Sequence, residues 1–504
     1  MNRLPMNRLP ATLLPSCLLL TCFVSNFTEA AQPKRPNFVF LMADDQNVDS
    51  MGCYGTINVK TKNLDQLAAD GMVFDNHYTT TAICMASRAN VLTGMFEYKT
   101  GCNFSHGPLI RSTWNQSYPV LLRQAGYLTA FAGKIGLEVA DAPKQKSQLP
   151  KNDFDWWGAS PSQTSYVTKN NASIAKYAKE FPHSTRAYGA FGRDFIAEAA
   201  KSERPFCLSI SFKAPHQPVQ PDPVDKTVYQ SSIFPEPGNY GRELGAHLSP
   251  QSRTGRQFER FHSWHYSDQY NAVMAKYHQQ IYAIDAAVGM IRDALAANHV
   301  DQNTVVIYTS DNGFLCGSHG YGSKVLPYEE ACRVPLIVYD PRHECRGKGL
   351  RCDALTGNVD FAPTLLTLAG LPVPDQMDGR DLMTLLDTPE ATIHESLPLI
   401  NVWGPKTAHS LAVVTKDWKF IYWPHENQQM KATEELFHTS SDPLELKNLI
   451  ADESHTADLN KMQKIYDATL THWKTEAVPY HRYQPFGTIF DRGVPWDKKA
   501  KLVR

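Results

Sequence analysis

The sequence predicts an α/β fold: a large, mostly parallel sheet flanked by helices on both faces, with a smaller C-terminal α+β subdomain. Two patterns carry this expectation. Continuous apolar runs of strand length end abruptly in polar residues, as buried parallel strands do where they emerge from the sheet. Between them lie stretches with apolar residues three and four apart, the stripe of an amphipathic helix.

In chain order the runs are Asn37–Ala43, Pro205–Phe212, Thr304–Ser310 and Pro335–Tyr339. The first ends in Asp44-Asp45, the second leads to Lys213-Ala-Pro-His216, and the third ends in Asp311-Asn312. Residues 269–297 place Val273, Tyr277, Ile281, Ile284, Val288, Ile291 and Leu295 at helical spacing. Residues 217–265 are rich in Pro, Gly, His and Ser and read as a long surface loop shaping a pocket. After Gly379 the pattern changes to a Leu-rich segment, Leu382 to Leu386, and short strand candidates at 411–415 and 418–423. A polar helix is expected at 456–474, so the chain divides into a catalytic α/β domain, 31–390, and a C-terminal subdomain, 391–504.

The 504 residues are 42% hydrophobic, 11% aromatic and 20% charged, which excludes a disordered or collagen-like chain. Fifty basic residues against 51 acidic ones leave a net charge of −1, so no basic excess points to nucleic acid. Residues 1–30 read as a signal peptide. Arg3 and Arg8 precede a short apolar core, Leu13 to Val24, and small residues lead to Ala31. That core is shorter than the roughly 20 apolar residues a membrane span needs. The expected localisation is therefore export, periplasmic or secreted, with no membrane span. Cysteine spacing of the C-x-x-C zinc type is absent. Cys345 and Cys352 bracket a polar, Gly-rich loop that a disulfide would close in an oxidising compartment.

Ligands in open α/β sheets sit outside the carboxyl ends of the strands, so the two acidic pairs are expected to share a site. Asp44, Asp45, Asp311 and Asn312 offer oxygen ligands suited to Ca²⁺ or Mg²⁺ and not to zinc. Each pair alone would equally serve as a helix cap or turn.

The segment Cys84-Met-Ala-Ser-Arg88, followed by Thr93-Gly94, resembles the signature of type I sulfatases, C-x-P-S-R, with Ala86 in place of the usual proline. The resemblance runs along the mature chain. Phe131-Ala-Gly-Lys134 is similar to the family's active-site lysine segment, and Ala214-Pro-His216 to its histidine segment. Ser310-Asp-Asn-Gly313, Gly317-Ser-His-Gly320, Lys324 and Arg333-Val-Pro335 resemble the second metal strand and its loop. Val359 to Thr364, Asp378-Gly379 and Glu435-Leu-Phe match features further on.

The resemblance implies that Cys84 is oxidised to formylglycine by a maturation enzyme. One hydroxyl of the aldehyde hydrate would attack sulfur, and the other would let the adduct collapse and expel sulfate. It implies Asp44, Asp45, Cys84, Asp311 and Asn312 as metal ligands, with Ca²⁺ favoured over Mg²⁺. It further implies Arg88 as the residue orienting the hydrate, Lys134 and Lys324 as sulfate clamps, and His216 beside the leaving oxygen. Where the family usually continues Lys-x-His, this chain reads Lys134-Ile135-Gly136, so either another residue such as His106 or His319 enters the pocket or His216 and Lys324 manage the leaving group alone. The expected function is hydrolysis of sulfate esters, on a sulfated carbohydrate by analogy with the family. A phosphodiester or phosphonate ester hydrolase, or a non-catalytic glycan-binding relative, are the competing readings.

Overall fold

A computed structural model describes residues 34–503; the expected signal peptide lies outside them. Eight strands form the main sheet: β1 (Asn37–Ala43), β2 (Met72–Phe74), β3 (Leu128–Lys134), β4 (Trp156–Ser160), β5 (Phe206–Ser211), β6 (Thr304–Ser310), β7 (Leu336–Tyr339) and β8 (Leu350–Cys352). Their order is β8-β2-β7-β6-β1-β5-β3-β4. β1 pairs in parallel with both β6 and β5, and β7 alone runs against its neighbours. The sheet is mostly parallel, as the buried runs predict.

Alternation along β1 builds two cores. Phe38, Phe40 and Met42 pack on one face with α1 (Cys84–Thr93) and α5 (Phe361–Leu368), while Val39, Leu41 and Ala43 pack on the other. That second face is covered by α2 (Ser184–Ala199) and α4 (Tyr266–Ala297), whose Ile284, Val288, Ile291 and Leu295 are the expected stripe. Each large apolar side chain so buried contributes about 1.5–3 kcal/mol.

The region 217–265 differs from a plain loop. It contains α3 (Arg256–Ser263), whose only close apolar pair, Phe258 and Phe261, is too short a stripe to announce a helix. The C-terminal part carries a four-stranded antiparallel sheet, β9 (Leu397–Asn401), β10 (Ser410–Val414), β11 (Lys419–Trp423) and β12 (Thr433–Phe437). The helix α6 (Thr456–Glu476) packs on it through Met462, Tyr466, Leu470 and Trp473.

The expected bridge between Cys345 and Cys352 is not formed. All cysteines among the described residues are free thiols. Cys352 is held at the end of β8, and its thiol donates to the Pro389 carbonyl at 3.2 Å. Among the described residues no helix is long and apolar enough to cross a membrane.

One backbone contact fixes the approach of β3 to β5. Gly133 has φ of +95°, and a Cβ there would lie 1.9 Å from the Ser211 carbonyl oxygen. Gly133→Ala is therefore expected to cost more than about 3 kcal/mol from backbone strain and collision together, and to displace Lys134. Denaturant unfolding checks this, and a loss below 1 kcal/mol would contradict the geometry.

Candidate active site

The parallel register of β1 and β6 sets Ala43 opposite Ser310, so the acidic pairs that follow emerge side by side. The Asp311 amide donates to the Ala43 carbonyl at 3.1 Å, and the Asp45 amide donates to Asp311 Oδ1 at 3.2 Å. Asp45 takes φ of +71°, a left-handed conformation that non-glycine residues adopt at a cost. Tyr277 on α4 holds it there. Its hydroxyl donates to the Asp45 carbonyl at 2.8 Å and accepts from the Asn47 amide at 2.8 Å.

Cys84 is the first residue of α1, where the unpaired amides and the helix dipole favour an anion. Its Sγ lies 3.4 Å from Asp44 Oδ1 and 2.7 Å from Lys324 Nζ. Arg88, one turn later on the same face, donates from Nε to Asp311 Oδ2 at 2.9 Å and from Nη1 to the Lys134 carbonyl and Ser211 Oγ. Lys134 Nζ donates to Asp44 Oδ2 at 2.5 Å, and Lys324 Nζ donates to Asp45 Oδ1. Asn312 Nδ2 donates to Asp45 Oδ1 at 2.7 Å, and His216 Nε2 stands 3.8 Å from Asp45 Oδ2. Asp44, Asp45, Cys84, Arg88, Lys134, His216, Asp311, Asn312 and Lys324 thus fall in one connected cluster, buried except for a partly open His216.

Three carboxylates face three cations in an almost fully buried site. Burial alone would raise Asp44, but Lys134, His216, Arg88 and Lys324 outweigh it and hold Asp44 well below the usual carboxylate range. Asp311 is pushed up to about 6 by burial and the Asp44 charge, against the pull of Arg88, Lys324 and Lys134. Burial and Asp44 push the Cys84 thiol up to about 12, so the unmodified side chain is a protonated, weak nucleophile. Burial works against the Lys324 ammonium, yet Asp45, Cys84, Asp44 and Asp311 keep it charged. Burial drives His216 down to about 4 despite Asp44 and Asp45.

The donor set fits a hard divalent cation. Asn312 Oδ1 is buried with no hydrogen-bond donor, an orphan that a cation would satisfy. Ligand atoms of Asp44, Asp45, Cys84 and His216 lie within 4.8 Å of one another. Asp311 falls outside that tight group because its carboxylate is turned to Arg88 and the Asp45 amide.

Of the two alternatives for the absent histidine, neither reaches the cluster. His106 is hydrogen-bonded to the carbonyls of His481 and Val402, and His319 faces Asn239 and the Leu244 carbonyl. Gly136 has φ of +73°, and a Cβ there would sit 2.5 Å from Arg88 Cδ. A side chain at 136 and Arg88 in this position exclude each other. Gly136 instead lines a cleft of about 370 Å³ with Met85, Asn103, Phe104 and Ser162.

Two supporting residues escape a reading of the sequence. Ser211, which accepts from Arg88, carries one usable signal, its place at the end of a central strand like Asp44 and Asp311. Tyr277 carries none, because a tyrosine in an apolar helical stripe reads as core.

A mostly parallel sheet whose central strand ends set a buried carboxylate cluster against a helix N-terminal cysteine places a candidate active site at the carboxyl edge of the sheet. Residues 36–371 match the Sulfatase family, and residues 317–471 match N-sulphoglucosamine sulphohydrolase, C-terminal. The chain belongs to the sulfatase family and is a sulfuric ester hydrolase. It is 27% identical to an N-acetylglucosamine-6-O-sulfatase of Bacteroides thetaiotaomicron, covering 88% of each chain. It is 25% identical to an ulvan-active sulfatase of Formosa agariphila, covering 85% of this chain and 79% of that one. A solved structure in complex with its substrate D-glucosamine-2-N,6-O-disulfate superposes with a TM-score of 0.72 at 25% identity, covering 88% of this chain and 99% of the other.

Chelated protein should gain stability on adding a divalent cation, by about 2.7 kcal/mol at a hundred times the dissociation constant. Asn312→Ala should lose at least half of that gain, because it removes the orphaned oxygen. Melting scans with Ca²⁺ and Mg²⁺ check this; wild-type protein that is indifferent to both would contradict the site.

Proposed function

We propose that this sulfatase hydrolyses sulfate esters on carbohydrates, working through Cys84 after its oxidation to formylglycine. The cation would be Ca²⁺ in preference to Mg²⁺, held by Asp44, Asp45, Asp311 and Asn312 together with the modified Cys84. The observation that carries the reading is Cys84 itself, buried at a helix start between Asp44 and Lys324 and ringed by three fixed cations. The carbohydrate part is supported by relatives named for sulfated sugars and an ulvan-active enzyme. Export rests on the leader-like residues 1–30, and encounter with a formylglycine-generating enzyme on the sulfatase-like segment from Cys84 to Arg88.

When present, the aldehyde hydrate and the cation supply the attacking hydroxyl and neutralise charge at a sulfate oxygen. The chain's own residues supply the rest. Arg88 cannot swing away, because Asp311, Ser211 and the Lys134 carbonyl fix its guanidinium one turn from Cys84. It therefore orients the group that Cys84 becomes. Lys134 and Lys324 point their ammonium groups to where sulfate oxygens would lie, stabilising charge without reorganisation. Lys324, which stays protonated, and His216, once bound sulfate offsets the burial that drives it down to about 4, are the groups beside Cys84 that would pass a proton to the departing alcohol.

Cys84→Ala should abolish turnover while leaving the melting temperature nearly unchanged, since it removes the nucleophile and little volume. Substantial residual activity would sink the covalent mechanism. The competing phosphodiester reading is separated by presenting one aryl leaving group on a sulfate and on a phosphodiester; a higher kcat/KM on the phosphodiester would overturn the assignment.

His216→Ala should slow sugar sulfates by roughly 10²–10⁴-fold, the usual worth of a general acid. It should hurt an activated aryl sulfate far less, because a phenolate leaves unaided. Single-turnover rates on both substrates decide the matter. Equal losses would assign the proton to Lys324 and leave His216 a positioning role.

A further inference from the structure

The wall beside the nucleophile is built by α3 and the loop after β9. The α3 backbone lies directly on the segment that carries Lys324: the Gly322 amide donates to the Gln257 carbonyl at 2.9 Å, and a Cβ on Gly322 would meet Arg260 Cβ at 2.9 Å. Across from it, Trp403 packs against Ile83, Ala86 and Val325, the neighbours of Cys84 and Lys324. The Arg256 guanidinium, on the first turn of α3, lies 4.3 Å over the Trp403 ring. Thr407 Oγ1 donates to Thr254 Oγ1 at 2.6 Å and ties the two segments together.

Two of the nearby arginines donate to backbone carbonyls, and a third stacks on a different indole. Arg253 donates to the carbonyls of Gly245, Ala246 and Leu248, and Arg242 donates to the Phe258 carbonyl. Arg260 lies over Trp264. Among the described residues, Arg256 has the indole as its contact and no carboxylate or carbonyl as a partner. Stacking uses the face of a guanidinium and leaves its edge of N–H donors pointing outward. A fixed, exposed fork of this kind matches a carboxylate or sulfate bidentately. Because Trp403 itself packs on Ile83, Ala86 and Val325, an anion bound at Arg256 is held on the wall next to Cys84 and Lys324.

We propose that Arg256, pinned on Trp403, forms a second anion subsite beside the nucleophile, receiving a carboxylate or second sulfate carried by the same sugar chain as the ester under hydrolysis. This rests on the carbohydrate reading above and narrows it. The substrate is a polyanionic glycan, in which the sugar presenting the ester, or its neighbour, bears another negative group. Trp403 is the positioning residue that keeps the guanidinium from folding back to solvent.

The test compares the affinities of glucosamine 6-sulfate and glucosamine-2-N,6-O-disulfate for full-length Cys84→Ala protein, which retains the ester. The disulfated sugar is expected to bind at least 10-fold more tightly, within the roughly 10- to 100-fold worth of a charge-assisted contact. Adding Arg256→Ala should bring the ratio close to one, and Arg256→Lys should leave an intermediate ratio because it keeps charge without the fork. A 6-sulfated hexosamine joined to a uronic acid shows whether a carboxylate serves as the anion. A ratio near one in the parent protein, a ratio that survives Arg256→Ala, or no binding of either sugar at millimolar concentration overturns the subsite. Aryl sulfate turnover by wild-type protein is measured alongside. Its absence would fail the sulfatase mechanism while leaving the affinity ratio to judge the subsite.

Discussion

The parallel pairing of β1 with β6 is the constraint on which the site depends. Its register places Ala43 opposite Ser310 and so delivers Asp44, Asp45, Asp311 and Asn312 to one point at the carboxyl end of the sheet. The same two strands separate the supporting layers. Their alternating side chains seat α1, with Cys84 and Arg88, on one face and α4, with Tyr277, on the other. A slip of one residue in either strand would reverse both faces and scatter the ligands.

That geometry concentrates charge where burial makes charge expensive. Asp44, Asp45 and Asp311 are met by Arg88, Lys134 and Lys324, so the cluster is neutral as folded. Such an arrangement is weak evidence for stability, since desolvation offsets much of the attraction. Its value is chemical. A divalent cation added to a balanced cluster would leave the pocket positive, with fixed donors around the place proposed for an anionic sulfate group. Arg256, stacked on Trp403, adds a further positive charge to the wall of the pocket.

Much of this was legible in the sequence for physical reasons. Buried parallel strands are continuous apolar runs, and β1, β5 and β6 match theirs within a residue or two. Polar residues directly after such runs mark the functional edge of the sheet, and the spacing from Cys84 to Arg88 is one helical turn. Other features left no trace. The reversal of β7 is invisible because an apolar run reads the same in either direction. The short, polar α3 was hidden inside a Pro- and Gly-rich stretch, and with it the stacking of Arg256 on Trp403. The consequence of Gly136 needed coordinates: only they show that Arg88 fills the space a side chain would take. Cys345 and Cys352 look paired by spacing, yet the thiol of Cys352 is turned to a backbone carbonyl.

On the proposed reading Cys84 is a precursor and not itself the nucleophile, and the burial that pushes its thiol up to about 12 fits that role. The most direct measurement is mass spectrometry of the peptide spanning Cys84, taken from catalytically active protein made in a host that matures sulfatases. The account predicts the aldehyde mass in place of the thiol, with the aldehyde fraction rising and falling with specific activity across preparations. Fully active protein carrying only the unmodified thiol would contradict it.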